Sequence, residues 1–205
     1  MKNLPTILLL MVFVCLCHAD IPTVEDFQNQ LEGRLVAVQT IQSDFLQTRE
    51  IPSLEMRLEF SGHLAYEAIA KRLMWRVEKP LRCAFRMQDE KLSQWDGETG
   101  KTLSVKASQF PWLRLLQERL AQWLSGDLGP LRKEADVQVL SQYRVRLIPR
   151  DGLLAALAKA VELEFSEDYT RVAEIRMEEN SGDFLTIQFQ NTILNQPIPE
   201  ETWQW

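Results

Sequence analysis

The chain has 205 residues, 45% of them hydrophobic and 25% charged, which is typical of a globular protein of one domain. Its 23 basic and 29 acidic residues give a net charge of −6, and the lack of a basic tract disfavours nucleic acid as a partner. With only eight glycines, two histidines and three cysteines, the composition disfavours an enzyme and predicts neither a cofactor nor a metal.

Residues 1–19 have the features of a secretory signal peptide. Lys2 supplies a positive start, the stretch from Leu4 to Cys17 is almost wholly apolar, and Ala19 is a small residue before the expected cleavage. The apolar stretch is short for a membrane span, although an uncleaved anchor is the alternative. We therefore expect residues 20–205 to form a single exported domain that keeps one cysteine, Cys83, and one histidine, His63.

The exported part begins with a predicted helix. Thr23 to Asp26 resembles a capping box, in which a hydroxyl and an acid satisfy the first free N–H groups of a helix. An apolar stripe at steps of three and four residues then predicts a helix of about fifteen residues. The stripe consists of Val24, Phe27, Leu31, Leu35 and Val38.

Apolar and polar residues then alternate, which predicts half-buried antiparallel strands. The alternation covers Leu54–Phe60, Leu73–Val77 and Leu81–Met87, with weaker strands near Leu92–Trp95 and Leu103–Val105. Turns are predicted at Ser61-Gly62, Lys79-Pro80, Gln88-Asp89 and Asp96-Gly97.

A second helix is predicted near 110–124, after the possible cap Ser108 and before Ser125-Gly126. Strands resume at Val137–Leu140, Tyr143–Ile148, Val161–Phe165, Val172–Glu178 and Phe184–Gln190, with a short helix within 151–160. Hairpin turns are expected at 167–169 and 180–183.

This order predicts an α+β fold, in which about eleven strands form one strongly curved antiparallel sheet over helices. Such a sheet either encloses an apolar ligand cavity or packs a filled core, and periodicity alone leaves both open. The candidate cavity wall is Leu58, Phe60, Trp75 and Phe85, and the candidate helical lid presents Trp112, Leu116, Leu120 and Trp123.

The candidate catalytic residues are weak. Asp96, Glu98, Asp127 and Asp183 occupy turns, where acids usually make local hydrogen bonds. His63 is predicted at a strand start as a structural or surface residue, and Cys83 as a buried small hydrophobe. Arg144, Arg146 and Arg150 alternate along a strand, which predicts a solvated face.

The order of these features resembles the LolA family of periplasmic lipoprotein carriers. In the first half of the chain, the resemblance lies in the first helix leading into Phe45-Leu46-Gln47, in the run from Phe60 to Tyr66, and in Leu73-Met74-Trp75 with Pro80. In the second half, it lies in Pro149, in the run from Glu178 to Asp183, and in Asn195 to Pro199 before a terminal aromatic strand. Where the family has Arg-Pro, this sequence has Ile69-Ala70, and Trp123 to Asp127 resembles a divergent branch.

The resemblance implies an incomplete antiparallel barrel over a helical lid, with an apolar cavity between them. It implies a periplasmic carrier that takes acyl chains of lipoproteins from an inner-membrane exporter towards an outer-membrane acceptor, without covalent chemistry. A lipid or glycolipid cargo is equally compatible, and a monomer is expected. The alternatives are an envelope adaptor that docks through its sheet edge, or a hydrolase of unknown substrate.

Overall fold

The computed structural model describes residues 21–31, 34, 38–88, 91–105, 119 and 132–205. Two α-helices lie wholly within these ranges, α1 (Val24–Leu31) and α2 (Gly152–Leu157), together with short 3-10 helices at Pro52–Leu54 and Glu200–Trp203. The strands are β1 (Thr40–Ile51), β2 (Met56–Glu67), β3 (Arg72–Lys79), β4 (Cys83–Gln88), β5 (Lys91–Asp96), β6 (Thr102–Val105), β7 (Ala135–Ser141), β8 (Arg144–Pro149), β9 (Ala158–Phe165), β10 (Val172–Glu179) and β11 (Phe184–Leu194).

All of these strands belong to one antiparallel sheet of eleven strands, which confirms the predicted fold class. Strands β1 to β6 form one meander and β7 to β11 form another, and the two meet where β1 pairs with β11. Strands β6 and β7 are the two edges, so the described part of the sheet is an open, curved barrel. A sheet this wide curls because each strand pair adds right-handed twist.

The curvature separates an inner face from an outer face. Alternate residues of both meanders point inward, where they join a single hydrophobic cluster that also takes in Phe27 of α1 and Leu154 of α2. The ring of Phe27 makes edge contacts with Phe165 at 5.6 Å and with Tyr169 at 6.1 Å between centroids. The inner face is therefore the main core, and both helices pack on it.

Helix α1 begins as the sequence predicts. Thr23 Oγ1 accepts a hydrogen bond from the backbone N–H of Asp26 (3.1 Å), and the Asp26 carboxylate accepts one from the Thr23 hydroxyl (2.6 Å). The predicted length was wrong for the described part, because the helix covers eight residues and Val38 is buried outside it. Leu35 lies outside the described residues.

The alternation places most strands correctly, with two exceptions. Strand β1 was not predicted, because polar Ser43 and Gln47 interrupt its inward-facing positions. Ser61-Gly62 was predicted as a turn but lies inside β2, at a register shift against β3. A Cβ on Gly62 would sit 1.8 Å from the carbonyl oxygen of Arg76, so the glycine permits this close approach of the two strands.

The C-terminal tail, defined as residues 195–205, packs on the outer face. The expected terminal aromatic strand was wrong, because the tail contains a 3-10 helix that buries Trp203. Trp203 packs against a second cluster formed by Ala65, Met74 and Ala84. Arg72 lies over the Trp203 ring at 4.2 Å, and Arg86 lies over the Trp205 ring at 4.5 Å. Part of the polar face of β3 and β4 is therefore covered by the tail.

The predicted arginine face on β8 lies partly exposed on the outer side of the sheet, where its charges are paired. Arg146 pairs with Glu162 (2.7 Å) on β9 and Glu178 (2.8 Å) on β10, while Arg144 pairs with Glu164. Arg150 pairs with Asp136. The strand register places opposite charges beside one another, which is a favourable cross-strand arrangement.

Candidate functional site

The candidate site is a row of inward-facing residues that crosses one half of the sheet. The register places Leu64 of β2 opposite Trp75 of β3, Trp75 opposite Phe85 of β4, and Phe85 opposite Gln94 of β5. The row ends at the sheet edge with Leu103 of β6, opposite Gln94. Apolar side chains thus extend from the centre of the sheet to Phe85, and polar Gln94 separates them from Leu103 at the edge.

The structure brings two of the predicted wall residues together and sets a third beside them. Trp75 is 1% exposed and faces Phe85 directly, and Phe60 packs against the same cluster. Leu58 shares their face but lies near the end of β2, where it is 37% exposed. The predicted lid residues Trp112, Leu116, Leu120 and Trp123 lie outside the described residues.

Sequence reasoning missed Phe45, which is central to this face. Its ring stacks on Trp75 with centroids 3.9 Å apart and an interplanar angle of 25°. The available signal was the spacing of Ile41 and Phe45, both of which are buried on β1. Because strand β1 was not predicted, Phe45 was not assigned to the inner face.

The inner face carries almost no charge. Within the described ranges, Ser43, Gln47 and Thr48 are the buried polar side chains, and no acid or base is buried. Charged groups appear at one end of the barrel, where Arg49 pairs with Glu179 (2.8 Å) and Asp183 (3.2 Å). We call Arg49, Glu179 and Asp183 the rim cluster. It joins β1 to the β10–β11 hairpin beside an apolar interior.

The outer face contains a cavity of about 370 Å³ between β1, β2, β3, β11 and Thr202 of the tail, with both polar and apolar residues in its lining. His63 lies mid-strand here, and its Nδ1 is 2.6 Å from Asp44 Oδ1. A hydrogen bond from Asn191 (2.7 Å) is the main reason that the pKa of Asp44 is lowered, and His63 adds to it. His63 was predicted at the start of a strand, but the structure places it within β2.

The aspartate and histidine in this cavity do not form a hydrolytic site with the nearby serine. Ser43 is buried and its hydroxyl lies within hydrogen-bond distance of Gln190 O (2.9 Å) and Thr192 Oγ1 (2.8 Å). Its position on β1 next to Asp44 points its side chain to the opposite face of the sheet. The geometry needed for nucleophilic attack is therefore not present between Ser43 and His63.

The other candidate catalytic groups have local roles. Asp96 accepts hydrogen bonds from the backbone N–H groups of Thr99 and Glu98, and these lower its pKa. Burial, with a smaller effect of Asp96, raises the pKa of the Cys83 thiol and so keeps it in the less nucleophilic form. Asp127 lies outside the described residues.

The described residues contain no group of three or more His, Cys, Asp or Glu side chains placed to hold a metal ion. None of their helices has the length and apolar character of a membrane span. What the described site offers chemically is an apolar surface.

No protein-family model matches the chain, and no curated protein matches it. Solved structures that resemble it include a LolA superfamily protein from Nitrosomonas europaea, with 12% identity, a TM-score of 0.46, and coverage of 90% of this chain and 98% of that one. Lipoprotein LppX of Mycobacterium tuberculosis has 11% identity, a TM-score of 0.48, and coverage of 86% and 99%. A putative outer membrane lipoprotein-sorting domain from Vibrio parahaemolyticus has 4% identity, a TM-score of 0.43, and coverage of 87% and 95%.

These neighbours include the superfamily that the sequence resembles. Their TM-scores are all below 0.5 and their identities are at most 12%, so no function or residue role is carried over from them. The fold assignment rests on the strand order and register of this chain.

Proposed function

We propose that this protein is a periplasmic carrier, which binds the acyl chains of lipoproteins or lipids on its inner face and moves them towards the outer membrane. The observation that carries the proposal is the largely apolar inner face of a sheet that stays open within the described residues. Inward-facing Leu58 and Leu103 reach solvent at its borders, being 37% and 59% exposed. Exposed apolar borders beside an apolar interior suit a ligand that enters from water.

The mechanism is partition rather than covalent catalysis. Each methylene moved from water to an apolar surface contributes about 0.8 kcal/mol, so a long acyl chain supplies ample free energy without any polar contact. Trp75 and Phe85 are buried in the described conformation, so binding requires the elements or side chains that cover them to move aside. The cost of that movement sets how readily cargo is released.

The direction of transfer rests on the sequence. Residues 1–19 have the pattern of an export signal, and the resemblance to LolA carriers implies an inner-membrane exporter as donor and an outer-membrane receptor as acceptor. The charged rim cluster and the uncharged interior fit a cargo whose acyl chains enter while its polar part stays outside.

A photoreactive fatty acid tests the binding face directly. The purified protein is mixed with a diazirine-labelled acyl chain, irradiated, digested and sequenced by mass spectrometry. We expect adducts on Phe60, Trp75 and Phe85, competed by unlabelled fatty acid. Adducts confined to the outer cavity, at His63 or Ile193, would contradict binding on the inner face.

Organic extracts of protein purified without detergent give the independent test. Mass spectrometry of these extracts should show a co-purifying lipid or lipoprotein. A hydrolase predicts instead an activity that is lost in Asp183→Ala, whereas the ion pair of Asp183 with Arg49 predicts only a small loss of stability. An empty protein with Asp183-dependent hydrolysis would overturn the carrier proposal.

A further inference from the structure

Strand β2 extends beyond its neighbour β3. Strands β1 and β2 pair along their whole lengths, from Thr40 opposite Glu67 to Ile51 opposite Met56. Strand β3 pairs with β2 only from Ser61 to Glu67. Within the described part of the chain, residues 56–60 therefore have no strand on the side away from β1. We call residues 56–60 the open edge; such an edge presents backbone groups to another strand.

The side chains of the open edge alternate in character. Met56, Leu58 and Phe60 point to the inner face, while Arg57 and Glu59 point to the outer face. Met56 is 43% exposed and Leu58 is 37% exposed, so the apolar stripe is only partly covered. An apolar stripe beside free backbone groups is the surface that strand addition uses.

We propose that the open edge pairs with the open edge of a second copy of this chain, antiparallel, around a two-fold axis at Leu58. In that register Leu58 faces the partner's Leu58, and Met56 faces the partner's Phe60. On the outer face Arg57 lies opposite the partner's Glu59, and Glu59 lies opposite the partner's Arg57. The open edge of one copy is therefore complementary to the open edge of the other.

The faces of the strand select this arrangement over a parallel one. A parallel pairing of the same two edges would turn one copy over, so that its apolar Met56, Leu58 and Phe60 would lie on the same face as Arg57 and Glu59 of the other copy. Within one chain, Arg57 already contacts Glu59 (2.9 Å) and Glu50 (3.5 Å), but Arg57 and Glu59 are 60% and 55% exposed. Replacing these exposed ion pairs within one chain by ion pairs between two copies therefore costs little free energy.

The two-fold axis also closes the assembly. Each copy offers its open edge once, so pairing ends at two chains and does not propagate into a filament. Five residues a chain make a smaller interface than the roughly 1,200 Å² of a stable complex. The dimer is therefore weak and forms as concentration rises, whereas the sequence led us to expect a monomer. The proposal does not depend on what the inner face carries.

Sedimentation velocity from micromolar to millimolar protein tests the pairing through charge reversal. Wild type should shift from monomer towards dimer across that range. Arg57→Glu and Glu59→Arg should each weaken association roughly tenfold, because every dimer holds the Arg57–Glu59 pair twice. The double variant R57E/E59R should restore it. Wild type that stays monomeric throughout, or a double variant as weak as the single ones, would overturn the proposal.

Cysteine cross-linking tests the register itself. In a Cys83→Ser background, Leu58→Cys should form a disulfide-linked dimer on mild oxidation, because the residue on the two-fold axis lies directly opposite its own copy, within disulfide range. Leu140→Cys is the matched control, because Leu140 is also 37% exposed but lies on β7. Equal yields from the two cysteines would overturn the register. Circular dichroism checks that each exposed variant keeps its fold.

Discussion

Replacement of Trp203 by alanine tests whether the tail is a structural part of the barrel. Trp203 is 5% exposed and packs against Met74, and Arg72 lies over its ring at 4.2 Å. Removal of a buried tryptophan typically costs about 3 to 5 kcal/mol, and loss of the cation–π contact adds about 0.5 to 1 kcal/mol. Because the tail packs on the outer face and can shift to fill the space of the lost ring, we expect a loss of about 3 kcal/mol in the free energy of unfolding.

Urea unfolding, followed by circular dichroism and by fluorescence of the other tryptophans, measures this loss. The midpoint should fall while the slope with denaturant stays constant, because the barrel still unfolds as one unit. Trp205→Ala is the control and should cost about 1 kcal/mol, since its ring is partly exposed and contacts Arg86. A loss below about 1 kcal/mol for Trp203→Ala would refute the view that the tail completes an outer core.

Gly62→Ala should lower the free energy of unfolding by about 3 kcal/mol in the same urea assay, because the new Cβ would meet the Arg76 carbonyl. Gly100→Ala is the control and should cost about 1 kcal/mol, because the only strain there comes from its φ of +68°. Arg49→Met should cost about 1 kcal/mol by thermal melting at low salt and less at high salt, and a loss independent of salt would contradict an ion-pair origin. The Asp168 carboxyl should titrate near its pKa of about 2 in carbon-13 NMR, because Ser166 and Thr170 hydrogen-bond to its charged form. Its stabilising effect is then complete above the unfolded pKa of about 3.9 and is lost as pH falls through 2, and a titration midpoint near 4 would contradict the hydrogen bonds.

Local patterns in the sequence predicted much of the fold. Alternation along Leu73–Val77 and Val161–Phe165 required half-buried strands, and the Thr23–Asp26 pair required a helix start, because both signals depend only on neighbours in the chain. The same alternation identified Trp75 and Phe85 as inward-facing before their pairing was known. It failed at β1, where Ser43 and Gln47 occupy inward positions, and Phe45 was missed with it.

The sequence by itself determined which residues share a face in the strands that it predicted, that the first residues have the pattern of an export signal, and that two histidines and three cysteines are available for metal or redox chemistry. Tertiary structure alone decided that β1 pairs with β11, that Phe45 stacks on Trp75, and that Arg72 and Arg86 lie under aromatic rings of the tail. Alternation of apolar and polar residues distinguishes the two faces of a strand, but it does not indicate which residues cover the polar face. That depends on contacts between residues more than a hundred positions apart, such as Arg72 with Glu200, which no local pattern encodes.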